Sequence, residues 1–570
     1  MRLKSIYVGK YKHLEDFRYE FREIDSLINP AAYRFFIGRN GSGKSALLEA
    51  LGLILTRVIH DESPGFAFEI VYTITVENVE TEVSICNNFD LYLEHCKGLN
   101  TMTMGEETEP EKTYVDCLSK IMVTVKSLNG TLERLPLKEK PFSTYWTKYH
   151  PKRIIAQASG PTSVLGDVLM KSPQDSLKSD LYDIRDGIDN KTKEYNQRAS
   201  QISMIETNLK KLKNEAPFLY VDGDTAKMVL ITICAMTTTI EPQKKYNDLR
   251  NKLFNVIGSF TPISFSLIAD EDRLDRLKKL HKDTPQYLTG LERLFLECML
   301  TEEEAEEHYL KSLNNLVTRT LKPEQNLEDL REGTDKYDRK AMFHFMETEK
   351  KGGFCYHCFA LDSDREPIDF LGMLLYAKRE GLIQSAHIAF KVDDNGPLLS
   401  EAALSDGEYF WLARMGLSLL SRYERDSLFL FDEPDVHLNE SWNIDFVRLL
   451  HELTYTPDNN TQEFIIATHS TLVLTDADPN QLYHFVRYDN KAPYIKSNTM
   501  SPFGANRDEI SKRIFGTEGF VGNFSSRKLQ HLIEKAQTVE ELRELEKKVG
   551  PGLFQFAIRD RIYDMEHQND

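Results

Sequence analysis

Two short motifs at opposite ends of the chain limit its fold more than any other feature. Gly38-Arg39-Asn40-Gly41-Ser42-Gly43-Lys44-Ser45 fits the phosphate-loop pattern G-x-x-x-x-G-K-[ST]. Glycines let successive backbone N–H groups point at phosphate oxygens, and a following helix adds its positive end. Lys44 is expected to reach the terminal phosphates and Ser45 to ligate Mg²⁺. Far downstream, the apolar run Leu428 to Phe431 ends in Asp432-Glu433. Such an acidic strand end completes a phosphate loop: Asp432 enters the Mg²⁺ shell, and Glu433 polarises the attacking water. One site built from Lys44 and Asp432 requires a fold completed from both ends of the sequence.

The surroundings of each motif agree with that reading. Tyr33 to Ile37 predicts a buried strand running into the loop, and Ala46 to Leu51 a helix leaving it. Lys4 to Glu20 alternates around Gly9 as a two-stranded meander does, and Phe66 to Val125 holds further antiparallel strands. Arg153 to Gly160 reads as a buried strand ending in a small-residue loop. Phe464 to Ser470 reads as another, with His469 at its end as a sensor of the γ-phosphate. Ser405-Asp406-Gly407-Glu408 opens a helix expected over Tyr409 to Ser421, and its start is a second anion site. Within one chain that site is redundant. Its natural use is to meet the γ-phosphate held by a second copy.

Composition narrows the setting. A net charge of −18 over 570 residues argues against nonspecific nucleic-acid affinity across the whole surface, while leaving room for one basic groove. There is no charged-then-apolar leader and no apolar run of about 18 residues, so a cytoplasmic protein with no membrane contact is expected. Seven scattered cysteines make no disulfide framework. Cys355-Tyr356-His357-Cys358 is a single C-x-x-C, to which His95 and Cys96 could add ligands. Reduced, nonfunctional cysteines are the expectation over structural zinc. Leu181 to Leu212 carries a seven-residue apolar repeat broken by Gly187, Lys191 and Arg198, and reads as a surface helix on its own domain. Asp270 to Leu321 has helical spacing, Lys322 to Arg339 is a polar connection, and the tail from Asn506 is mostly helical.

Together, Gly38–Ser45, Leu404–Glu408, Leu430–Glu433 and Ala467–Ser470 resemble an ABC-class ATPase of the SMC, RecF and RecN group. Ile37 to Ala50 and Ser405-Asp406-Gly407-Glu408 resemble the stand-alone ATPases of anti-phage and restriction-linked systems. The closest likeness is to PtuA-type ATPases, found in Septu systems and in some retrons beside an HNH nuclease. In the signature, Asp406 stands where transporters usually carry a glycine. The resemblance covers both ATPase lobes, roughly half the chain. It implies an α/β fold: an ABC-type ATPase head with a mixed sheet and P-loop, interrupted by a mainly helical insertion. The expected divisions are 1–165, 166–366, 367–500 and 501–570: N-terminal lobe, insertion, C-terminal lobe and helical tail.

The resemblance also assigns roles. Gly38, Arg39, Asn40, Gly41, Ser42, Gly43, Lys44 and Ser45 would hold ATP, met in trans by Ser405, Gly407 and Glu408. Ser45, Asp432 and Gln157 would hold Mg²⁺, Glu433 would be the catalytic base and His469 the switch. The implied partners are a second copy in an ATP-sandwich homodimer or a higher oligomer, a nuclease of HNH type, and a retron reverse transcriptase with its DNA, or DNA directly. Related nucleases append a Toprim domain. After Ser470 there is no glutamate-glycine start followed by paired aspartates, so no intrinsic nuclease is expected. A RecF- or RecN-like ATPase in DNA repair or chromosome maintenance is the alternative, and an ATP-clamped scaffold a third reading.

Overall fold

The computed structural model describes residues 1–23, 32–58, 63–87, 121–127, 132–135, 148–159, 164–169, 218–236, 243–256, 260–269, 353–356, 366–379, 383–392, 398–456, 461–488, 491–496, 500–517 and 521–567. They form two units, Met1–Gly504 and Ala505–Asp570.

In the first unit, β1 (Arg2–Tyr11) and β2 (Leu14–Glu20) pair antiparallel. The turn falls at Lys12 and His13, with Lys12 at φ 50°, rather than at Gly9. Gly9 lies inside β1, where the strand runs close to Ala67: Gly9 N donates to Ala67 O at 2.7 Å, and an added Cβ would stand 3.1 Å from the Ala67 Cβ. With β4 (Phe68–Val76), β5 (Val79–Cys86), β6 (Met122–Ser127) and β7 (Leu132–Leu135) they make a six-stranded antiparallel sheet, ordered β2-β1-β4-β5-β6-β7.

The second sheet carries both motifs. Its order is β17-β16-β3-β15-β14-β8-β9, from β3 (Tyr33–Ile37), β8 (Ile154–Ala158), β9 (Phe218–Val221), β14 (Leu428–Asp432), β15 (Glu463–Ala467), β16 (Leu482–Val486) and β17 (Tyr494–Lys496). From β16 to β9 neighbours run parallel, and only β17 is antiparallel. Parallel strands covered on both faces read as continuous apolar runs, and every residue of β3, β8 and β15 is buried.

The helix α1 (Lys44–Val58) packs between the two sheets. Its Leu47, Leu48, Leu51, Ile54 and Leu55 share one core with Leu3, Ile6 and Val8 of β1 and with Ala156, Leu428, Leu430, Ile465 and Ala467 of the parallel sheet. Strand alternation puts Phe429, Phe431 and Phe464 on the other face, where Phe429 and Phe464 stack at 4.2 Å.

Longer helices of this unit are α2 (Ala226–Ala235), α3 (Asn247–Asn255), α4 (Pro367–Arg379), α5 (Asp406–Leu420) and α6 (Glu440–Thr454), with α5 packed against α2, α3 and α6. A third sheet is ordered β11-β10-β12-β13, from β10 (Phe260–Ala269), β11 (Gly353–Tyr356), β12 (Ile383–Val392) and β13 (Leu398–Ser400). Of the segment read as a helical insertion, the described part thus contributes β9, β10 and β11 as well as helices. The heptad tract, Asp270 to Arg339, His95, Cys96, His357 and Cys358 lie outside the described residues. The second unit holds α7 (Arg507–Arg513), α8 (Asn523–Lys535), α9 (Val539–Glu546) and α10 (Leu553–His567). Among the described residues no helix is long and apolar enough to cross a membrane.

Candidate active site

β3 delivers the chain into the phosphate loop, and three glycines make the loop possible. Gly38, Gly41 and Gly43 sit at φ 145°, 75° and 104°, a region L side chains rarely enter. A Cβ on Gly38 would stand 2.3 Å from the Phe485 carbonyl oxygen, and one on Gly43 3.0 Å from Pro493. The loop closes through Ser42 N to Arg39 O at 3.1 Å and enters α1 through Leu47 N to Gly43 O at 3.0 Å. Arg39, Asn40 and Gly41 are exposed. The Ser42 Oγ is buried with no hydrogen-bond partner.

The residues from the two ends of the sequence meet at the start of α1. Parallel pairing brings β14 beside β15, and β15 beside β3, so Asp432, Ala467 and Phe36 lie at neighbouring strand ends. There Ser45 Oγ donates to Asp432 Oδ1 at 3.0 Å. Lys44 Nζ donates to Gly38 O at 3.0 Å and Arg39 O at 3.3 Å, and lies 2.8 Å from His469 Nε2. His469 Nε2 is also 3.3 Å from Glu433 Oε1. One imidazole nitrogen therefore sits between the loop lysine and the acid after β14. Glu433 holds φ 52°, uncommon for a residue with a side chain, and its N–H donates to Ala467 O at 2.8 Å.

Burial sets the electrostatics. The Lys44 ammonium is pushed down to about 8 by desolvation, against the raising effect of Glu433, Asp432 and Asp435. Desolvation pushes Asp432 up to about 6, against its Ser45 hydrogen bond. Glu433 is held below the ordinary carboxylate range by its hydrogen bond from His469. A glycine cradle, a buried amine, an unpaired serine hydroxyl and a serine–aspartate pair together fit an Mg²⁺–phosphate group.

Gln157 is not brought to that pair. Asp432 pairs with Ala158 in register, and Gln157 pairs with Phe431. Alternation turns Gln157 to the sheet face opposite Asp432, where its Oε1 is buried without a hydrogen-bond partner. The strand-end residue that does reach the acidic turn is Ser159, whose Oγ donates to Glu433 O at 2.7 Å.

Ser405 caps α5, accepting from Glu408 N at 3.4 Å, while Glu408 Oε2 accepts from Ser405 N at 2.7 Å and Ser405 Oγ at 2.8 Å. Ser405 is exposed. Gly407 has a packing reason of its own: a Cβ there would stand 3.0 Å from His437 O and 3.1 Å from the Trp442 ring.

Sequence reading missed Arg414, on α5. It is 1% exposed, and its guanidinium donates to Val436 O and Ser159 Oγ, each at 2.7 Å, and to Pro434 O. Desolvation pushes it down to about 10. Arg414 and Ser159 thus tie the helix begun by Ser405 to the backbone around Glu433. Asp435 was also missed: its Oδ1 accepts from Thr468 Oγ1 at 2.5 Å, joining the turn after β14 to the end of β15. No local pattern marks these residues, because an arginine inside a helix reads as solvent-facing and a serine after a strand as loop. Among the described residues no group of three or more His, Cys, Asp or Glu could hold a metal ion.

Several solved SMC head domains are similar to this chain. The Pyrococcus furiosus Smc head with an extended coiled coil, bound to the C-terminal domain of ScpA, has 13% identity and a TM-score of 0.28, over 87% of this chain and 96% of that one. The Pyrococcus yayanosii Smc head with a coiled coil and joint has 13% identity and a TM-score of 0.30, over 87% and 97%. The SMC head from Thermotoga maritima has 10% identity and a TM-score of 0.30, over 88% and 100%. No curated protein matches. The model AAA_15, an AAA ATPase domain, matches residues 1–340, phosphate loop included, and the chain belongs to that family.

Proposed function

We propose that this chain is the ATP-binding and hydrolysing subunit of a bacterial anti-phage defence complex, in which two copies sandwich ATP and hydrolysis governs a separate nuclease of HNH type. The observation that carries the ATPase part is the meeting of Ser45 with Asp432 and of Lys44 with His469 and Glu433, residues drawn from both ends of the sequence. Gly38 to Ser45 bind the phosphates. Ser45 and Asp432 would hold Mg²⁺, which when bound neutralises charge developing on the phosphate oxygens. Glu433 accepts the proton of the attacking water, and His469 keeps that carboxylate oriented and ionised. The exposed start of α5 supports the two-copy part, since Ser405 is then open to the γ-phosphate of a partner. The defence role rests on the likeness of Ile37 to Ala50 and Ser405 to Glu408 to PtuA-type ATPases.

Two measurements test this. Phosphate release should be lost in Lys44→Ala and in Glu433→Gln; turnover unchanged by Glu433→Gln would leave only a nucleotide-clamped scaffold. Native capture of Glu433→Gln chain with ATP and Mg²⁺ should recover a nuclease at fixed stoichiometry. Recovery of DNA alone would instead support the repair role.

A further inference from the structure

The second unit exposes large apolar side chains over a very small core. Among the described residues of α8, α9 and α10, only Leu542 and Ile558 are buried, and α8 buries none. Phe524 of α8 is 83% exposed, and Leu553, Phe556 and Tyr563 of α10 are 76%, 67% and 60% exposed. A short helical unit rarely buries enough apolar surface to stand alone, and disulfides, a metal or association make up the difference. Residues 505–570 contain no cysteine, and among the described residues no group of three or more His, Cys, Asp or Glu could hold a metal ion. Association is what remains.

The exposed faces of two of these helices differ in charge. On α8, Phe524, Lys528, His531 and Lys535 recur at helical spacing and are all exposed. On α10, Leu553, Phe556, Asp560 and Tyr563 do the same, with Asp564 one turn beyond Asp560. The ion pairs between helices of this unit, Arg543 with Glu566 at 2.8 Å and Arg559 with Glu546 at 2.5 Å, join α9 to α10. Among the described residues, Lys528, Lys535, Asp560 and Asp564 have no ion-pair partner. One face is thus aromatic and basic, the other apolar and acidic. Because α8 packs against α10, the two are neighbours on one small body. A two-fold contact sets the same patch of two copies against each other, so a patch that carries both signs complements itself.

We infer that α8 and α10 form a self-association surface, in which α8 of each copy lies on α10 of a second copy of this chain. Phe524, Leu553, Phe556 and Tyr563 leave water there, while Lys528 and Lys535 meet Asp560 and Asp564 across the contact. This contact needs no nucleotide. It is separate from the ATP-held contact at Ser405 and does not depend on it.

The test is the mass of the full chain in solution, measured by sedimentation velocity without nucleotide so that the ATP-held contact does not contribute. The unsubstituted chain should be a dimer. The double variant Phe524→Glu, Phe556→Glu should raise the dissociation constant about tenfold or more. Two charge reversals are sharper. Lys528→Glu with Lys535→Glu makes both faces acidic, and Asp560→Lys with Asp564→Lys makes both basic. Each reversed chain alone should be monomeric. Mixed in equal amounts they should form a dimer of one copy of each, because every facing pair is then opposite in sign. Recovery on mixing also shows that neither reversed chain had simply failed to fold. A monomeric unsubstituted chain would overturn the inference. So would a dimer that survives all three variants, or reversed chains that stay apart when mixed.

Discussion

Burial moves Lys44 and Asp432 toward each other on the pH scale, and both must be charged to work. Asp432 sits at about 6, so its carboxylate is lost as pH falls through that value, and its hold on Mg²⁺ with it. Lys44 sits at about 8, so its ammonium is lost as pH rises above that value. The kcat/KM profile for ATP, which reports the free protein, should therefore be bell-shaped with limbs near 6 and 8. Lys44→Arg should abolish the alkaline limb, because a guanidinium stays charged there; a profile flat from pH 5 to 9 would contradict the burial argument. Glu433→Gln keeps size and backbone but removes the base, and should lower kcat by about 10²–10³ with ATP binding retained.

At the scale of elements, α5 is held to the acidic turn by Arg414 and Ser159. Ser159→Ala removes the hydroxyl between the guanidinium and Glu433 O without burying a new charge. The expected result is a several-fold fall in kcat with little change in KM or melting temperature; a fall in melting temperature with kcat intact would make the contact merely structural. Gly407→Ala drives a methyl toward a backbone oxygen and the Trp442 ring, and should cost about 1–3 kcal/mol in denaturant unfolding. Both the strand and the helix flanking the phosphate loop are legible in the sequence, because the apolar run of β3 and the leucine-rich start of α1 follow from local chemistry. Gln157 shows where local reading stops. Its face is set by the pairing of Asp432 with Ala158, and no property of residues 153 to 160 states that register.

Across the first unit, one buried network ties distant parts of the chain together. Arg34 of β3 pairs with Glu463 of β15, donates to the Tyr483 hydroxyl of β16 at 2.8 Å and to Leu3 O of β1 at 2.7 Å. Glu463 also accepts from Leu3 N at 2.5 Å. Removing one partner leaves the other charge buried, so Glu463→Leu should cost about 3–5 kcal/mol by chemical denaturation, whereas pairing it with Arg34→Leu should restore part of the loss. A double variant no better than the single would show that the cost lies in packing instead.

The sequence by itself determined the phosphate loop, the acidic strand end, His469 and the Ser405 cap, because each is written in contiguous residues whose chemistry is local. Tertiary structure decided what those pieces touch. Parallel pairing of β3, β15 and β14 makes neighbours of Ser45 and Asp432; strand alternation turns Gln157 away; burial shifts Lys44 and Asp432. Arg414 gains its meaning only from the residues packed beside it. These are consequences of register and desolvation, which arise between segments far apart in the chain and so leave no mark within any one of them.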